Sequence, residues 1–161
     1  MGRLTDRQIA DYFHRSYTAV DGLWFMKLEE EYGFDKALEV DRRVWEVLPK
    51  IQARKLKSIL NTGDGLEALK QCLAIKLDLE GFNFETQEYE GGFRIIVHKC
   101  PWHELMVRSG REELSGRVGN VICNTEYPVW ASEFENIKFE LREQICEGSS
   151  LCTLDFRLGQ E

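Results

Sequence analysis

Apolar residues recur at three- and four-residue spacing through the first half of the chain, and at two-residue spacing through much of the second. Thr5-Asp6-Arg7-Gln8 has the spacing of a capping box, and Ile9, Tyr12, Phe13 and Tyr17 follow as the apolar positions of a helix. A second helical segment opens near Asp21-Gly22 with Leu23, Trp24, Phe25, Met26 and Leu28. Gly33 is placed to end it in the left-handed position past the last turn. From Phe34-Asp35 a longer run keeps helical spacing through Leu38, Trp45, Leu48, Ile51, Leu56 and Ile59. Pro49 falls inside this run and is expected to kink or divide it, because proline removes a backbone donor and crowds the preceding turn. After the loop Asn61-Thr62-Gly63-Asp64-Gly65, a further helix carries Leu66, Leu69, Leu73 and Leu77, with Gly81 closing it.

Beyond Gly81 the period changes. Phe84 to Tyr89 and Phe93 to Lys99, joined by Glu90-Gly91-Gly92, read as a β-hairpin. Pro101 suits the first turn of a short helix running to Ser109. Val118 to Phe134 reads as helical, interrupted or kinked at Pro128. Ile137, Phe139, Leu141 and Ile145 then alternate along one strand, and Cys152, Leu154, Phe156 and Leu158 along another. The expected fold is therefore α+β: one domain over residues 1–161, with a helical half (1–81) and a half (82–161) made of hairpin, helices and hairpin in an antiparallel sheet.

Composition narrows the partners. The 161 residues hold 21 Lys and Arg against 28 Asp and Glu, a formal net charge of −7. An acidic chain without a basic tract is a poor partner for nucleic acid. Lys50, Arg54 and Lys57 form only a short basic stripe, read as a solvated helix face. No apolar run approaches the roughly 18 residues that cross a bilayer. Met1 to Asp6 is polar, so no signal peptide is expected, and a reducing cytoplasmic setting follows. The five cysteines are then thiols or ligands, not disulfide partners.

Those cysteines carry the candidate chemistry. Cys72, within an amphipathic helix, reads as core. Glu143 shares strand parity with Ile137, Phe139 and Leu141, which points its carboxylate toward the core, where it needs a proton, a partner or a metal. Glu143-x2-Cys146-x5-Cys152 brings three ligand types to one end of the second hairpin, and Cys123 adds a fourth from the preceding helix. Such a set suits zinc. The same residues also read blandly, as small core side chains and a solvated strand end. A third reading makes Cys100 or Cys123 a nucleophile with His103 or His98 as base. His98 has the parity of Ile96 and Cys100, so the two are expected on one strand face. No P-loop, dinucleotide fingerprint, His-Glu-x-x-His or EF-hand pattern occurs.

The second hairpin, Glu143-x2-Cys146-Glu147-Gly148-x3-Cys152-x-Leu154-x-Phe156, resembles the end of the 4-vinyl reductase small-molecule-binding domain. In that resemblance Cys123, Glu143, Cys146 and Cys152 follow the zinc-ligand order of related aromatic-sensing modules. Cys100 to Arg111, Cys123 and Gly148-x3-Cys152-x3-Phe156 are similar to aminothiazoline-carboxylate hydrolase-like proteins. Asp21 to Phe25, Tyr32-Gly33-Phe34 and Val44-Trp45 look like an uncharacterised prokaryotic family related to both. The resemblance implies an antiparallel sheet under helices, a ligand pocket between them, and homodimerisation through the helical half. It frames two expectations. One is a cytoplasmic small-molecule-binding protein with zinc on Cys123, Glu143, Cys146 and Cys152, and with Trp24, His98 and Trp102 near the ligand. The other is a hydrolase of a small cyclic or amide-like, sulfur-containing compound, with Cys100 and His103, or a zinc-bound water, as its chemistry. A third expectation is a protein that interacts through its helical half and merely retains the sheet.

Overall fold

The computed structural model describes residues 3–159. The chain order is α1 (Asp6–Tyr32), α2 (Phe34–Trp45), α3 (Leu48–Leu60), α4 (Leu66–Leu79), β1 (Asn83–Tyr89), β2 (Gly92–Lys99), α5 (Pro101–Arg108), α6 (Glu112–Ser132), β3 (Ile137–Glu143) and β4 (Cys152–Leu158), with a single 3-10 turn at Ile145–Glu147. The fold is α+β, as the periodicity indicates. The chain separates into two compact units, Met1–Asp41 and Arg42–Glu161, with the boundary inside α2.

In the first unit the capping box forms: Thr5 accepts from the Gln8 amide while the Gln8 side chain accepts from the Thr5 amide. The expected break at Asp21-Gly22 does not occur, and α1 runs unbroken to Tyr32. A lone glycine inside a helix costs only about 1 kcal/mol relative to alanine, too little to end one. Gly33, at φ +82°, ends it instead and donates its amide to the Glu29 carbonyl.

In the second unit Pro49 does divide the helical run, sitting in the first turn of α3 where its missing donor costs nothing. Pro128 behaves otherwise and lies inside α6 without ending it. It is on the exposed side, as is Asn124, the residue whose carbonyl it leaves without an amide, so water can reach that group.

The four strands are all antiparallel in the order β1-β2-β4-β3. Phe93, Ile95 and Val97 pair across with Phe156, Leu154 and Cys152, which puts them on one face. That face meets Leu69, Leu73 and Leu77 of α4 and Tyr127 and Trp130 of α6 in a single core. Phe156 is stacked with Phe93, their ring centres 5.0 Å apart, and Phe139 lies 5.1 Å away on its other side. The opposite face is polar and centred on Asp155, which is buried beneath Tyr89, Arg94 (3.0 Å) and Arg142 (2.6 Å). Burial works to raise its pKa, but the tyrosine hydroxyl and the two guanidinium groups win and hold it below the ordinary aspartate value.

Two residues of the basic stripe of α3 reach the end of α6, while Lys50 is exposed. Arg54 reaches Glu133 at the end of α6 (2.7 Å), and Lys57 binds the Glu133 carbonyl and lies over the Phe134 ring.

Candidate functional site

Four elements of the second unit bring a cysteine each to one end of the sheet. Cys100 caps the start of α5, just past β2. Cys123 lies midway along α6, Cys146 in the 3-10 turn, and Cys152 opens β4. A charge on any one of the four sulfurs is felt by the other three. All four are reduced and only partly exposed.

Backbone geometry sets them there. The 3-10 turn folds back so that the Ile145 amide donates to the Cys152 sulfur at 3.2 Å. The same turn sits tightly on α6: a Cβ added at Gly119 would lie 2.6 Å from the Cys146 sulfur, and one at Gly116 would lie 3.0 Å from the Cys146 carbonyl oxygen. Cys123 follows Gly119 by one helical turn on the same face.

Burial keeps these thiols neutral. It pushes Cys100 up to about 11 against the pull of the His103 and Trp102 amides at the start of α5. It pushes Cys146 to about 11 as well, and raises Cys152 and Cys123, with the neighbouring sulfurs adding to the effect. Close by, Gln144 is buried and its side-chain nitrogen has no hydrogen-bond acceptor. Its nitrogen and the Cys146 sulfur flank the same point of α6, at Gly119.

A buried ionic group adjoins the cysteines. Lys76 of α4 lies 3.0 Å from Glu80 and 2.5 Å from Glu126 of α6, and all three are almost wholly enclosed. Desolvation works against the ammonium, but the two carboxylates outweigh it and keep Lys76 charged. Burial raises Glu126 above the ordinary glutamate value despite the lysine beside it. The field of this group reaches the thiols: Glu126 raises Cys123, and Lys76 lowers Cys100. Tyr127, packed on Phe139, has its hydroxyl pushed well up by burial and by Glu126, Cys123 and Cys100.

A family model described as a family of unknown function, DUF6125, matches residues 5–148. The chain belongs to DUF6125. No curated protein matches it in sequence. The matched stretch of this DUF6125 chain contains Cys100, Cys123 and Cys146 and stops short of Cys152.

The structure brings together Cys123, Cys146 and Cys152 of the expected ligand set but turns Glu143 away. The pairing of β3 with β4 shifts register between Leu141 and Glu143, which inverts the alternation. Glu143 is exposed and accepts a hydrogen bond from Thr153 at 2.8 Å, opposite the core face, although its charge still helps to raise the Cys152 thiol. Among the described residues, no group of three or more His, Cys, Asp or Glu side chains is set to hold a metal ion as it stands.

The expected pairing of His98 with Cys100 also fails. His98 is exposed on the face of Arg94 and Ile96, whereas Cys100 lies beyond the strand and packs against the core. The Nδ1 of His103 is 2.8 Å from the buried Ser115 hydroxyl, which ties down one of its two ring nitrogens. Trp102 meets Trp45 edge-on at 5.9 Å, and Trp24 is an exposed residue of the first unit.

Lys76, Glu80, Glu126 and Gln144 were not singled out by the sequence reading. Spacing held a signal for three of them: Lys76 and Glu80 continue the inward positions Leu69, Leu73 and Leu77, and Glu126 sits one turn from both Ile122 and Trp130.

Proposed function

We propose that this DUF6125 protein is a cytoplasmic small-molecule-binding protein whose sheet-containing unit is braced by zinc on its cysteine cluster. The observation that supports it is the convergence of Cys123, Cys146 and Cys152, from three elements, beside a buried amide donor that has no acceptor. Free thiols gathered under a sheet fit a reducing compartment. Each cysteine has one side-chain torsion, so its sulfur moves between staggered wells as an ion is taken up. The enclosed polar groups Lys76, Glu80, Glu126 and Tyr127, set among apolar side chains, are of the kind that orient a small ligand. The likeness of the second hairpin to the 4-vinyl reductase domain belongs to this proposal. The nucleophile reading draws less support, because a thiol at about 11 is protonated at neutral pH.

Metal analysis of protein purified without added zinc tests the proposal. About one equivalent is expected. A metal-free preparation in which all five thiols titrate freely would overturn it.

The same reading includes a homodimer formed through α1. No α1 residue is buried, and Ile9, Tyr12, Phe13, Val20, Leu23 and Trp24 form an exposed apolar stripe. Laid antiparallel on a second copy about a two-fold axis between Ser16 and Tyr17, Phe13 meets Val20, Ile9 meets Trp24, and Asp6 meets Lys27. The apolar pairs then fall at the centre and opposite charges at the ends. Sedimentation that shows only a monomer at high concentration would remove the dimer from the reading.

A further inference from the structure

The sheet face opposite α4 and α6 is polar, and its residues fall in rows across the strands. Tyr89, Gly92, Arg157 and Lys138 form one row, and Gln87, Arg94, Asp155 and Glu140 the next. We propose that Arg94, Arg142, Arg157 and Lys138 form a binding site on this face for a phosphate dianion, taken as the free ion or as a small phosphate monoester. The site stands apart from Cys100, Cys123 and Cys152, which pack toward the core, and it does not depend on zinc.

Arg142 reaches this face through a bulge. Leu141 pairs with Leu154 and Glu143 with Thr153, so Arg142 is the extra residue between them. A bulge re-aims a side chain, and here it brings the guanidinium onto Asp155. Asp155 is 1% exposed, and its Oδ2 accepts from Arg94 Nε at 3.0 Å and from Arg142 Nη2 at 2.6 Å. A fixed carboxylate thus holds two guanidinium groups side by side from beneath. Each guanidinium has five N–H donors, and the bonds to Asp155 and Glu140 use a minority of them. Arg94 also lies over the Tyr89 ring, 5.0 Å from its centre. Tyr89 can fold down there because residue 92 is glycine: a Cβ at that position would lie 2.5 Å from the ring.

The charge balance suits a dianion. Four cations share the cluster with two carboxylates, Asp155 and Glu140, which leaves an excess of two positive charges. Arg157 is 3.6 Å from Glu140, and Lys138 is exposed with no ion pair among the described residues. The next carboxylates on this face, Glu85 and Glu143, stand one row further along, with Ile96 and Thr153 between them. The attraction is local, because a chain of net charge −7 repels anions as a whole. Paired guanidinium groups match phosphate, since the planar fork presents parallel donors to two oxygens. The Tyr89 ring and the half-buried Ile96 flank the cluster and offer apolar cover to the organic part of a monoester.

Titration of the full-length protein with phenyl phosphate and with inorganic phosphate, followed by calorimetry and by the NMR signals of the arginine Nε–H groups, tests the site. Saturable binding that shifts the Arg94 and Arg142 signals is expected. For phenyl phosphate it strengthens between about pH 5 and pH 7, as the second proton leaves the ligand. Affinity falls by roughly 10–100-fold in Arg142→Gln, which loses charge-assisted hydrogen bonds. It falls by about two- to fivefold in Lys138→Gln and in Arg157→Gln, both exposed and clear of Asp155, so these two decide the matter should Arg142→Gln fail to fold. Tighter binding of phenyl phosphate marks a monoester as the ligand, and tighter binding of inorganic phosphate marks the free ion. Benzoate, with one charge on the same ring, binds more weakly, and equal binding would overturn the assignment to phosphate. Absence of saturable binding to either phosphate, or affinities unchanged in all three variants, would overturn the site.

Discussion

The two longest helices invite comparison because they do opposite things. Helix α1 has 27 residues and buries none of them. Helix α6 has 21 and buries Ser115, Ile122, Glu126, Tyr127, Trp130 and Ala131. The first is held by local terms: its capping box, the ion pair of Arg15 with Asp11 at 3.0 Å, and that of Lys27 with Glu30 at 2.7 Å. Such pairs are worth about 0.2–0.5 kcal/mol each in an isolated helix. The second contains a proline and three consecutive positions without an apolar side chain, Ser115 to Arg117, yet the sheet and α4 hold it in place. Apolar spacing marks both segments as helices. Tertiary cover separates them.

The sharpest contrast is one substitution made in each helix. Trp130 is fully buried, stacked near Phe134 with their ring centres 6.4 Å apart, whereas Trp24 is 65% exposed. Trp130→Ala is expected to cost about 3–5 kcal/mol, since the cavity it leaves is walled by a packed core. Denaturant midpoints at an unchanged slope measure this. A loss below about 1 kcal/mol would mean that α6 is not anchored as described.

Next in size is the ionic group that α6 shares with α4. Lys76→Met leaves Glu80 and Glu126 enclosed without their cation, at an expected cost of about 3 kcal/mol at neutral pH. The sign of its pH dependence follows from the carboxylates. Without the ammonium, Glu126, which burial already holds above the ordinary glutamate value, rises further, so the variant regains stability as pH is lowered toward the ordinary glutamate range. Combining it with Glu80→Gln and Glu126→Gln recovers part of the loss, because no buried charge then remains. Unfolding curves of the single and triple variants between pH 4 and pH 8, a range chosen around roughly the glutamate and neutral regions, check both statements. A flat profile for Lys76→Met would show the carboxylates reaching solvent instead.

How much of this was legible in the sequence depends on what each residue's placement required. The α+β order, Pro49 at a helix start and Gly33 at a helix end follow from local chemistry, and local chemistry is visible in sequence. Glu143 was misplaced because strand parity holds only while the register does, and one shift between Leu141 and Glu143 inverted it. Cys100 was assigned to a strand face it does not share, because the chain leaves the sheet one residue earlier to cap α5. Its meeting with Cys123, Cys146 and Cys152 is a tertiary fact with no spacing to announce it. Lys76 and Glu126 lie at inward helical positions, but sequence cannot tell a long charged side chain buried with a partner from one that reaches past the core to water.

Glycines separate the two helices more gently. A Cβ at Gly119 of α6 meets the Cys146 sulfur at 2.6 Å, and one at Gly22 of α1 meets nothing within 4 Å. Gly119→Ala is therefore expected to destabilise by about 1–3 kcal/mol, the range for forcing extra volume into a packed contact, even after its gain in helix propensity. Gly22→Ala should stabilise by up to about 1 kcal/mol, through propensity alone. Thermal unfolding of the two variants side by side gives opposite shifts if α6 is clamped by the turn that carries Cys146 and α1 stands uncovered. Two shifts of the same sign would erase the distinction.

The smallest expected effect is also the one that tests whether α1 stays uncovered in solution. Trp24→Ala should change the stability of a monomer by no more than about 0.5 kcal/mol, since the indole leaves one solvated surface for another. In a dimer joined along α1 the same side chain sits opposite Ile9 of the second copy, and its removal weakens association instead of folding. Protein concentration separates the two cases, because only an associating chain gains stability with concentration. The wild-type melting temperature is expected to climb across a hundredfold range of concentration, and to climb less in Trp24→Ala. Phe13→Glu, which sets a carboxylate in the middle of the apolar stripe, should abolish the climb while leaving the dilute protein folded. Melting temperatures independent of concentration in all three would make α1 a helix that keeps its apolar stripe in water, and the contrast with α6 would then be complete.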